Sequence, residues 1–551
     1  MSNQVFPLPK IIWLGGIAAL IVGMIFLMTP VAPVHAATRT VTNANDSGVG
    51  SLREAIANAA AGDTIVFDPA LAGGTITLTS GQLAINTRLT IQGLGASALT
   101  VRGNNASRVF EIGTSGIVTL TGLTIADGYV SNLRGGGISN AGLLTLDNCI
   151  VTRNQIGGLL LGIRRYGGNG IYNSGTLTIT HSTISDNTHQ NNAAGGGGIF
   201  NDGMLYLRDS TVRNNQTRSI RLYGIYGGGG IANRGTATII ASTIISNTAI
   251  NFTSGGGAGI YNDGTMTITS SAIRDNRATG NFGGGILNWQ NGALTIRTST
   301  LAGNTTDRGG GGIENTGNLT VIQSTLSGNI ANGAYDGGGG IGNTVGTLRV
   351  ENSTLSNNQG VLYGGGIFND EGSATITFST LSNNTASLLG GGIYITGYVT
   401  NTLTTVTNSI IANNTNQDCV NVGGVLANVN VWIEDNTCAP NFFGDPNLGT
   451  LANNGGETAT HALLPGSPAI DRIPASANGC GTTFMLDQIG TARPNGGRCD
   501  LGAFEYVRPT AVTLTRFDAS ADARATWFYV GALGLLAGAL IAGIMWRTRA
   551  R

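Results

Sequence analysis

Apolar and polar residues alternate in short runs along most of this chain, and the same arrangement of runs returns at regular intervals. One copy is Gly195–Asn215, GGGGIFNDGMLYLRDSTVRNN. The copies lie 26 to 33 residues apart and share an isoleucine that serves as a reference position: Ile138, Ile171, Ile199, Ile231, Ile260, Ile286, Ile313, Ile341, Ile367 and Ile393. Repeats of this length are typical of a solenoid, in which each repeat forms one layer stacked on the next.

Within each repeat the alternation has a period of two, as in Leu177–Ile179 and Ser182–Ile184. Short runs of β-branched residues bounded by glycine and asparagine predict β-strands, and no repeat has an apolar stripe with helical spacing. Each repeat is therefore expected to be a coil of short strands that pair in parallel with the next coil. This pattern predicts an all-β fold, a parallel β-helix, and the general preference for right-handed crossovers favours the right-handed form.

Two files of asparagine accompany the repeats, one from Asn140 to Asn369 and the other from Asn154 to Asn384. A side-chain amide inside a turn can hydrogen-bond the backbone and the amides of the coils above and below it. We therefore interpret both files as structural ladders rather than as ligand-binding amides. Cys149 occupies the position that holds Ser182 in the next repeat, and we expect it to be a buried thiol.

Both ends of the chain predict export and attachment to a membrane. Residues 1–36 contain Lys10, the apolar run Ile11–Met28 and the small-residue site Val34–Ala36, a pattern typical of a secretory signal. An uncleaved anchor is the alternative, because the run is long enough to span a bilayer. Residues 527–546 predict a transmembrane helix, and the basic tail 547–551 places the C-terminus in the cytoplasm. The intervening residues are expected outside the cell.

Residues 37–130 are interpreted as an N-terminal cap followed by the first coils. Ser51–Glu54 is a capping box that predicts a short helix ending at Gly62, which would cover the exposed edge of the first coil. Further strands are expected around Thr64–Phe67, Thr75–Leu78, Leu89–Ile91, Leu99–Val101 and Val118–Ile125. The repeats themselves occupy residues 131–414.

Residues 415–506 have loop composition and four cysteines. Cys419 and Cys438, and likewise Cys480 and Cys499, are 19 residues apart, so two local disulfides are the simplest pairing, while sequence alone leaves other pairings open. Disulfides suit an oxidising exterior. We interpret this region as a disulfide-stapled cap on the far end of the stack, with a linker at 507–526. Its carboxylates lack a recognisable metal-ligand spacing, and no cofactor is expected.

Three segments resemble known families of surface proteins. Residues 50–56, GSLREAI, are similar to the CSLREA segment of exported bacterial β-helix proteins, with glycine in place of the cysteine. Copies such as Gly364–Asn369 resemble the repeats of the chlamydial polymorphic outer-membrane proteins, which are adhesins. Asn453–Gly456, Thr460–Asp471 and Cys499–Glu505 resemble the choice-of-anchor Q domain, although Ile489 stands where that family has arginine. These resemblances imply architecture and a place at the cell surface, and they imply no reaction.

The composition adds little chemistry. The 551 residues carry zero formal net charge, so there is no electrostatic argument for a nucleic-acid partner. In register, the repeats place Asn148, His181 and Asp209 on successive coils, with Arg208 beside them. A histidine among carboxylates and arginines could abstract a proton from a uronic acid, and the alternative is an ordinary exposed turn. His181, Asp209 and Arg208 are therefore weak catalytic candidates, and we expect a protein that is not an enzyme.

The insertions between the second asparagine and the next glycine run vary in length, and equivalent positions of a solenoid stack on one side. They contain Arg164, Arg165, Tyr166, Arg218, Arg221, Tyr223 and Tyr226, followed by Phe252, Phe282, Tyr335 and Tyr363. Aromatic and arginine side chains suit stacking on sugars or binding a protein, and the alternative is that they fold back over the glycine turns. The sequence thus predicts a membrane-anchored surface solenoid that recognises a glycan or a cell-surface protein. A polysaccharide lyase or hydrolase and a passive spacer are the alternatives.

Overall fold

The computed structural model describes residues 36–157, 167–189, 195–219, 227–251, 255–333, 337–397 and 403–508. The described residues up to 506 form one compact unit, a parallel β-solenoid of the right-handed type with about 12 turns, which confirms the predicted solenoid. A second unit covers 507–551, and only residues 507 and 508 of it are described. The predicted signal up to residue 35 and the predicted span 527–546 lie outside the described residues. Among the described residues, no helix is long and apolar enough to cross a membrane.

Three parallel sheets form the walls of the solenoid, and their strands pair coil to coil. Sheet A has 15 strands: Thr38–Val41, Thr64–Phe67, Arg88–Gln92, Ile117–Thr121, Leu143–Asp147, Thr176–Thr180, Met204–Arg208, Thr236–Ile240, Thr265–Thr269, Ala293–Arg297, Asn318–Ile322, Thr347–Glu351, Ser373–Thr377, Leu403–Thr407 and Val425–Val429. Sheet B has 14: Gly74–Thr77, Leu99–Arg102, Thr124–Ala126, Ile150–Thr152, Thr183–Ser185, Thr211–Arg213, Thr243–Ile245, Ala272–Arg274, Thr300–Ala302, Thr325–Ser327, Thr354–Ser356, Thr380–Ser382, Ile410–Ala412 and Trp432–Ile433. Sheet C has 13: Leu83–Ile85, Phe110–Ile112, Ile138–Asn140, Ile171–Asn173, Ile199–Asn201, Ile231–Asn233, Ile260–Asn262, Ile286–Asn288, Ile313–Asn315, Ile341–Thr344, Ile367–Asp370, Ile393–Thr396 and Cys419–Val422.

Smaller elements complete the described fold. Sheet D follows sheet B in seven successive coils and has seven strands: Gln216–Ser219, Thr248–Asn251, Arg277–Thr279, Thr305–Thr306, Ile330–Ala331, Gln359–Gly360 and Thr385–Ala386. Sheet E occupies the corresponding place in earlier coils with Tyr129–Ser131, Gln155–Gly157 and Thr188–His189. Two antiparallel pairs of strands follow the last coil in the sequence: Leu448–Ala452 with Thr460–Leu463, and Ile473–Pro474 with Arg498–Cys499. The helices are Leu52–Ala57 and the single 3₁₀ turns Pro69–Leu71 and Ala477–Gly479.

The interior consists of columns of like residues, because the strands pair without a shift in register. Ile138 pairs with Ile171, and Ile171 with Ile199, all fully buried. Leu144 and Leu177 stack in the same way in sheet A. Full burial of such a side chain contributes roughly 1.5–3 kcal/mol, so every added coil extends one continuous apolar core.

Both asparagine files are buried ladders, as predicted. The Nδ2 of Asn173 donates to Oδ1 of Asn201 at 2.7 Å. In the second file, the backbone N–H and Nδ2 of Asn187 donate to Oδ1 of Asn215 at 3.1 and 2.8 Å, and Nδ2 also donates to the carbonyl of Val151 at 3.0 Å. The side-chain groups are thereby paired inside the stack, so the asparagines hold successive coils in register.

A third ladder uses serine. The N–H of Ser182 donates to Oγ of Ser210 at 3.0 Å, and its own Oγ donates to the carbonyl of Thr180 at 2.7 Å. Cys149 fills the same position one coil earlier, where its N–H donates to Oγ of Ser182 at 2.9 Å. Burial raises the pKa of the Cys149 thiol to about 11, so it is a packing residue, as predicted.

The glycine run before each reference isoleucine is required by close approach of neighbouring coils. A Cβ on Gly198 would lie 2.7 Å from the carbonyl oxygen of Gly230 and 3.0 Å from Nδ2 of Asn215. A larger residue would therefore force the coils apart at the ladder itself.

The N-terminal helix forms but is shorter than predicted. Its N-cap forms as predicted, with Oγ of Ser51 accepting from the N–H of Glu54 at 3.2 Å, while Oε2 of Glu54 accepts from the N–H of Gly50, one residue before the cap, at 2.6 Å. The helix ends at Ala57 instead of running to Gly62, because Asp63 accepts a hydrogen bond from the N–H of Ala60 and turns the chain. The strand expected over Val118–Ile125 is likewise two strands, divided by Gly122 at a φ of +63°.

The region predicted as an end cap needs correction. Both predicted disulfides form, Cys419–Cys438 and Cys480–Cys499, and Cys438 packs against the end of the main core. Residues 448–506, which we call the C-terminal arm, instead lie largely against the outer side of sheet B. Leu463 and Leu501 of the arm bury Phe378 and Ile410 in a second core cluster. An apolar patch on the side of the stack therefore draws the arm away from the end.

Candidate functional site

The catalytic candidates lie at the turn between sheets A and B. His181 and Asp209 occupy equivalent positions of successive coils, both with a φ of +47°, as the register predicted. Nδ1 of His181 is 2.9 Å from Oδ1 of Asp147, which also accepts from Oγ1 of Thr180 at 2.7 Å. The hydrogen bond from His181 lowers the pKa of Asp147. On the other side, Nε2 of His181 is 4.0 Å from Oδ2 of Asp209, beyond hydrogen-bond reach.

This cluster contains the imidazole and carboxylates that an acid–base site needs, but it lacks the partial burial of such a site. The side chain of His181 is 65% exposed, and Arg208 is committed to Asp209 at 3.1 Å. Catalytic bases gain their power from partial burial and from dipoles that already face the substrate, and exposed charges in water have neither. The geometry is that of a surface ion cluster.

The second set of candidates belongs to the corner where the insertions emerge. Six of the seven ligand-binding candidates lie outside the described residues: Arg164, Arg165, Tyr166, Arg221, Tyr223 and Tyr226. Arg218 is described and exposed, in the sheet D strand Gln216–Ser219. Phe282 and Tyr363 fold back: Arg308 lies 4.9 Å above the ring of Phe282, and Tyr363 lies 4.7 Å from the ring of Tyr394. For these two aromatics the structure favours the packing alternative.

A row of apolar residues beneath this corner was not recognised from the sequence. Tyr172, Phe200 and Tyr261 follow the reference isoleucines and point outward from sheet C, yet all three are buried in a cluster separate from the main core. The ring of Tyr172 lies under Arg134 at 4.7 Å, and its hydroxyl donates to Asp202 at 3.0 Å. The signal was an aromatic residue recurring directly after the isoleucine. This row gives the corner a rigid base.

The C-terminal arm makes specific hydrogen bonds with sheet B. Oγ1 of Thr325 donates to the carbonyl of Ala459 at 2.5 Å, and Oγ1 of Thr354 donates to Oε1 of Gln488 at 2.7 Å. Oγ1 of Thr380 accepts from the N–H of Ala503 at 3.0 Å. These three threonines are equivalent outward residues of successive coils, so one column of the sheet holds the arm.

A buried charge network holds the arm together. Arg493 is buried, lies 4.4 Å from the ring centroid of Phe378, and donates to Oε2 of Glu505 at 2.8 Å and to the carbonyl of Asp500 at 3.0 Å. Burial raises the pKa of Glu505 to about 7 and that of Asp500 to about 6, and it lowers the pKa of Arg493. These carboxylates thus serve as hydrogen-bond acceptors within the arm.

The same face of sheet B continues towards the N-terminal coils, and Glu457 at the tip of the arm reaches over it as far as Ser270. Its outward residues there are Thr183, Thr211, Thr243, Ala272 and Thr300, preceded at the turn by His181, Asp209, Ala241, Ser270 and Thr298, and we call these ten residues the open ledge. All five outward residues are partly exposed, whereas Thr325, Thr354 and Thr380 under the arm are buried. An open cleft of 230 Å³ marks the boundary, lined by ledge hydroxyls and the carboxylate of Glu457.

Comparison with known proteins adds little. No family model matches this chain and no curated protein matches it, so the resemblances of its segments remain predictions. Among solved structures, the crystal structure of pectate lyase Pel9A is similar at 13% sequence identity and a TM-score of 0.33, over 85% of this chain and 96% of that one. A likeness of this size carries no argument about chemistry, and the proposals below rest on the residues of this chain.

Proposed function

We propose that this protein is an exported, membrane-anchored recognition solenoid that binds a glycan or a protein through the corner where its insertions emerge. One observation carries the proposal. Five stretches outside the described residues, 158–166, 190–194, 220–226, 252–254 and 334–336, each lie in the sequence between a strand of sheet D or E and a glycine run. The described residues that flank these stretches, whose lengths differ, thus line one edge of the stack.

The foundation of that edge supports a binding role. The buried row of Tyr172, Phe200 and Tyr261 lies in the coils that carry the longer insertions, and Arg134 is fixed over Tyr172. Binding residues are commonly placed on loops that a rigid scaffold positions. The arginine and tyrosine content of the insertions suits contacts with a sugar ring or with a protein surface.

The location rests on separate support. The two disulfides suit an oxidising compartment, and the apolar segments at the two ends of the sequence suit export and anchoring. Fractionation of cells with protease shaving of the surface tests this point. Protection of the solenoid from the external protease would contradict the proposed location.

The binding proposal is tested by replacing Tyr166, Tyr223 and Tyr226 with serine in the full chain. The matched control is Tyr206→Ser, because Tyr206 is an exposed tyrosine on sheet A, away from the corner. Binding to a glycan array and to intact cells is measured together with thermal melting. We expect the triple variant to lose binding at an unchanged melting temperature and the control to keep it. A lower melting temperature with no binding in the wild type would leave the protein as a spacer.

A polysaccharide lyase is the second candidate, favoured by the hydrogen bond between His181 and Asp147. The test incubates the wild-type chain and His181→Ala with uronate-containing polysaccharides and follows the ultraviolet absorbance of unsaturated ends. Because His181 is exposed on a convex turn, we expect no activity from either protein. Activity in the wild type that disappears in His181→Ala would replace the recognition proposal with an enzymatic one.

A further inference from the structure

Part of the C-terminal arm shows how this solenoid holds an extended peptide. Oε2 of Glu457 accepts from Oγ of Ser270 at 2.8 Å, Oγ1 of Thr458 donates to the carbonyl of Gln323 at 3.1 Å, and Nε2 of His461 is 2.9 Å from Oγ of Ser356. Oγ1 of Thr325 also holds the carbonyl of Ala459, so from Thr458 to His461 the contacts advance by one coil and by four positions along the coil. Glu457–His461 therefore crosses the outer face of sheet B obliquely, with Glu457 pointing towards the N-terminal coils.

The solenoid residues that hold the arm bind its backbone more than its side chains. At the turn between sheets A and B, Nε2 of Gln323 donates to the carbonyl of Asp487 at 2.8 Å and Nδ2 of Asn352 donates to that of Leu486 at 3.1 Å. Nδ2 of Asn408 donates to the carbonyl of Asn478 at 3.1 Å. The turn residues form one column along the stack and the threonines form a second. Both columns make hydrogen bonds with main-chain atoms of the arm.

The open ledge is the direct continuation of both columns. Its threonines are in register with Thr325, and its turn residues are in register with Gln323. Its five coils are separated by four steps of about 4.8 Å, which gives it a length of about 19 Å and matches roughly six extended residues. Glu457, the tip of the bound segment, already reaches over the ledge to Ser270 in its fourth coil. The surface that holds the arm therefore continues into the ledge, whose residues occupy positions equivalent to those beneath the arm.

The chemistry of the ledge favours a peptide over a sugar. None of its ten residues is phenylalanine, tyrosine or tryptophan, and its one ring is the imidazole of His181 in the coil furthest from the arm, so it offers a sugar little aromatic surface for stacking. Its hydroxyls recur once per coil, as they do beneath the arm. Arg213 follows Thr211 at the margin of the ledge, is exposed, and makes no ion pair within the described part of the chain. An acidic side chain on the bound peptide would complement it.

We propose that the open ledge binds an extended, acidic segment of a partner polypeptide, aligned end to end with Glu457–His461. This inference rests on the proposed recognition function and assigns it a second face and a partner class. A chain laid there gains main-chain hydrogen bonds from the hydroxyls of the ledge and selectivity from Arg213, which is the general logic of extended-peptide recognition.

The test uses the full chain purified in detergent and a phage-displayed library of random linear peptides. The ledge variant is Thr211→Arg with Thr243→Arg, and the matched control is Thr238→Arg with Thr267→Arg, which places the same side chains on the outward face of sheet A. Selected peptides are then synthesised and their Kd is measured by fluorescence anisotropy. We expect acidic peptides that bind the wild type and the control, with at least a tenfold loss of affinity in the ledge variant. If that variant melts early, Thr211→Val with Thr243→Val removes the hydroxyls at nearly constant shape and must show the same loss.

Several outcomes would overturn the inference. They are the absence of enriched peptides, peptides that bind the ledge variant equally well, and a glycan array signal that the ledge variant abolishes. Failure of the ledge alone is recognised when the wild type binds the cells or glycans that the triple tyrosine variant loses, but enriches no peptide whose binding the ledge variant weakens. Failure of the proposed function is recognised when the wild type binds neither peptides, glycans nor cells.

Discussion

The asparagine ladder allows a quantitative prediction for Asn215→Ala. The fully buried amide of Asn215 makes four hydrogen bonds: Oδ1 accepts from N–H and Nδ2 of Asn187 at 3.1 and 2.8 Å, and Nδ2 donates to the carbonyl of Ile184 at 2.9 Å and to Oδ1 of Asn247 at 3.1 Å. Truncation removes all four and leaves at least two buried polar groups, the N–H of Asn187 and the carbonyl of Ile184, without these partners. Each such group costs about 1–3 kcal/mol, so we expect a loss of about 3–6 kcal/mol once the small cavity is included.

The assay must be local, because each coil of a solenoid interacts mainly with its neighbours. Hydrogen exchange resolved by peptide should accelerate about a hundredfold or more in the coils on either side of Asn215, since 1.4 kcal/mol corresponds to a factor of ten. The control is Asn318→Ala, an exposed asparagine at the start of a sheet A strand, which should change stability by less than about 0.5 kcal/mol. Equal exchange in the two variants would refute the ladder as a source of stability. Asn215→Asp should be at least as harmful as the alanine, because a carboxylate cannot donate to Ile184 or Asn247.

Three further predictions concern cysteines and pH. Cys149→Ser should change the free energy of unfolding by less than about 1 kcal/mol, because serine fills this position in the following coils. Calorimetry measures this change. A much larger loss of stability would show that the position requires a thiol. Replacing Cys480 and Cys499 with serine should destabilise the arm by about 3 kcal/mol, because the bridge closes a loop of about 20 residues. Hydrogen exchange should become faster in the arm alone. Faster exchange throughout sheet C would contradict independent packing of the arm. The pKa of Glu505 is raised by burial from 4.5 to about 7, so its contribution to stability is fully present below pH 4.5 and is lost as the pH rises through 7. Melting temperatures at pH 5 and 8 should show this decrease in the wild type and a smaller one in Glu505→Gln, and an increase between the two pH values would refute it.

The parts of this fold that repeat could be predicted from the sequence. The strands, both asparagine ladders, the place of Cys149 and the two short-range disulfides depend on local pattern or on fixed register, and both can be counted along the chain. The same counting placed His181 beside Asp209. It could not show that His181 is exposed and that Arg208 is already paired, because side-chain direction at a turn depends on the backbone conformation there.

The arm could not be predicted, because its contacts obey no period. Gln323 and Asp487 are 164 residues apart, and Asn352 and Leu486 are 134 apart. The apolar residues that attract the arm, Phe378 among them, occupy positions that are polar in most repeats. In the sequence, an apolar residue at one of these positions is only a departure from the repeat pattern. The structure shows that the arm covers it.

The arm also affects how this gene can change length. Repeats of this kind are gained and lost by unequal recombination, and a solenoid tolerates an added layer because each layer contacts only its neighbours. The arm makes hydrogen bonds to the coils of Ser270, Gln323, Asn352, Thr380 and Asn408, so a layer added among them would shift its partners by one step and break the match with Gln323 and Thr380. Layers added between Ile138 and Ile231 would leave it undisturbed. Related genes should therefore vary in repeat number on the N-terminal side of the arm and keep a constant number beneath it.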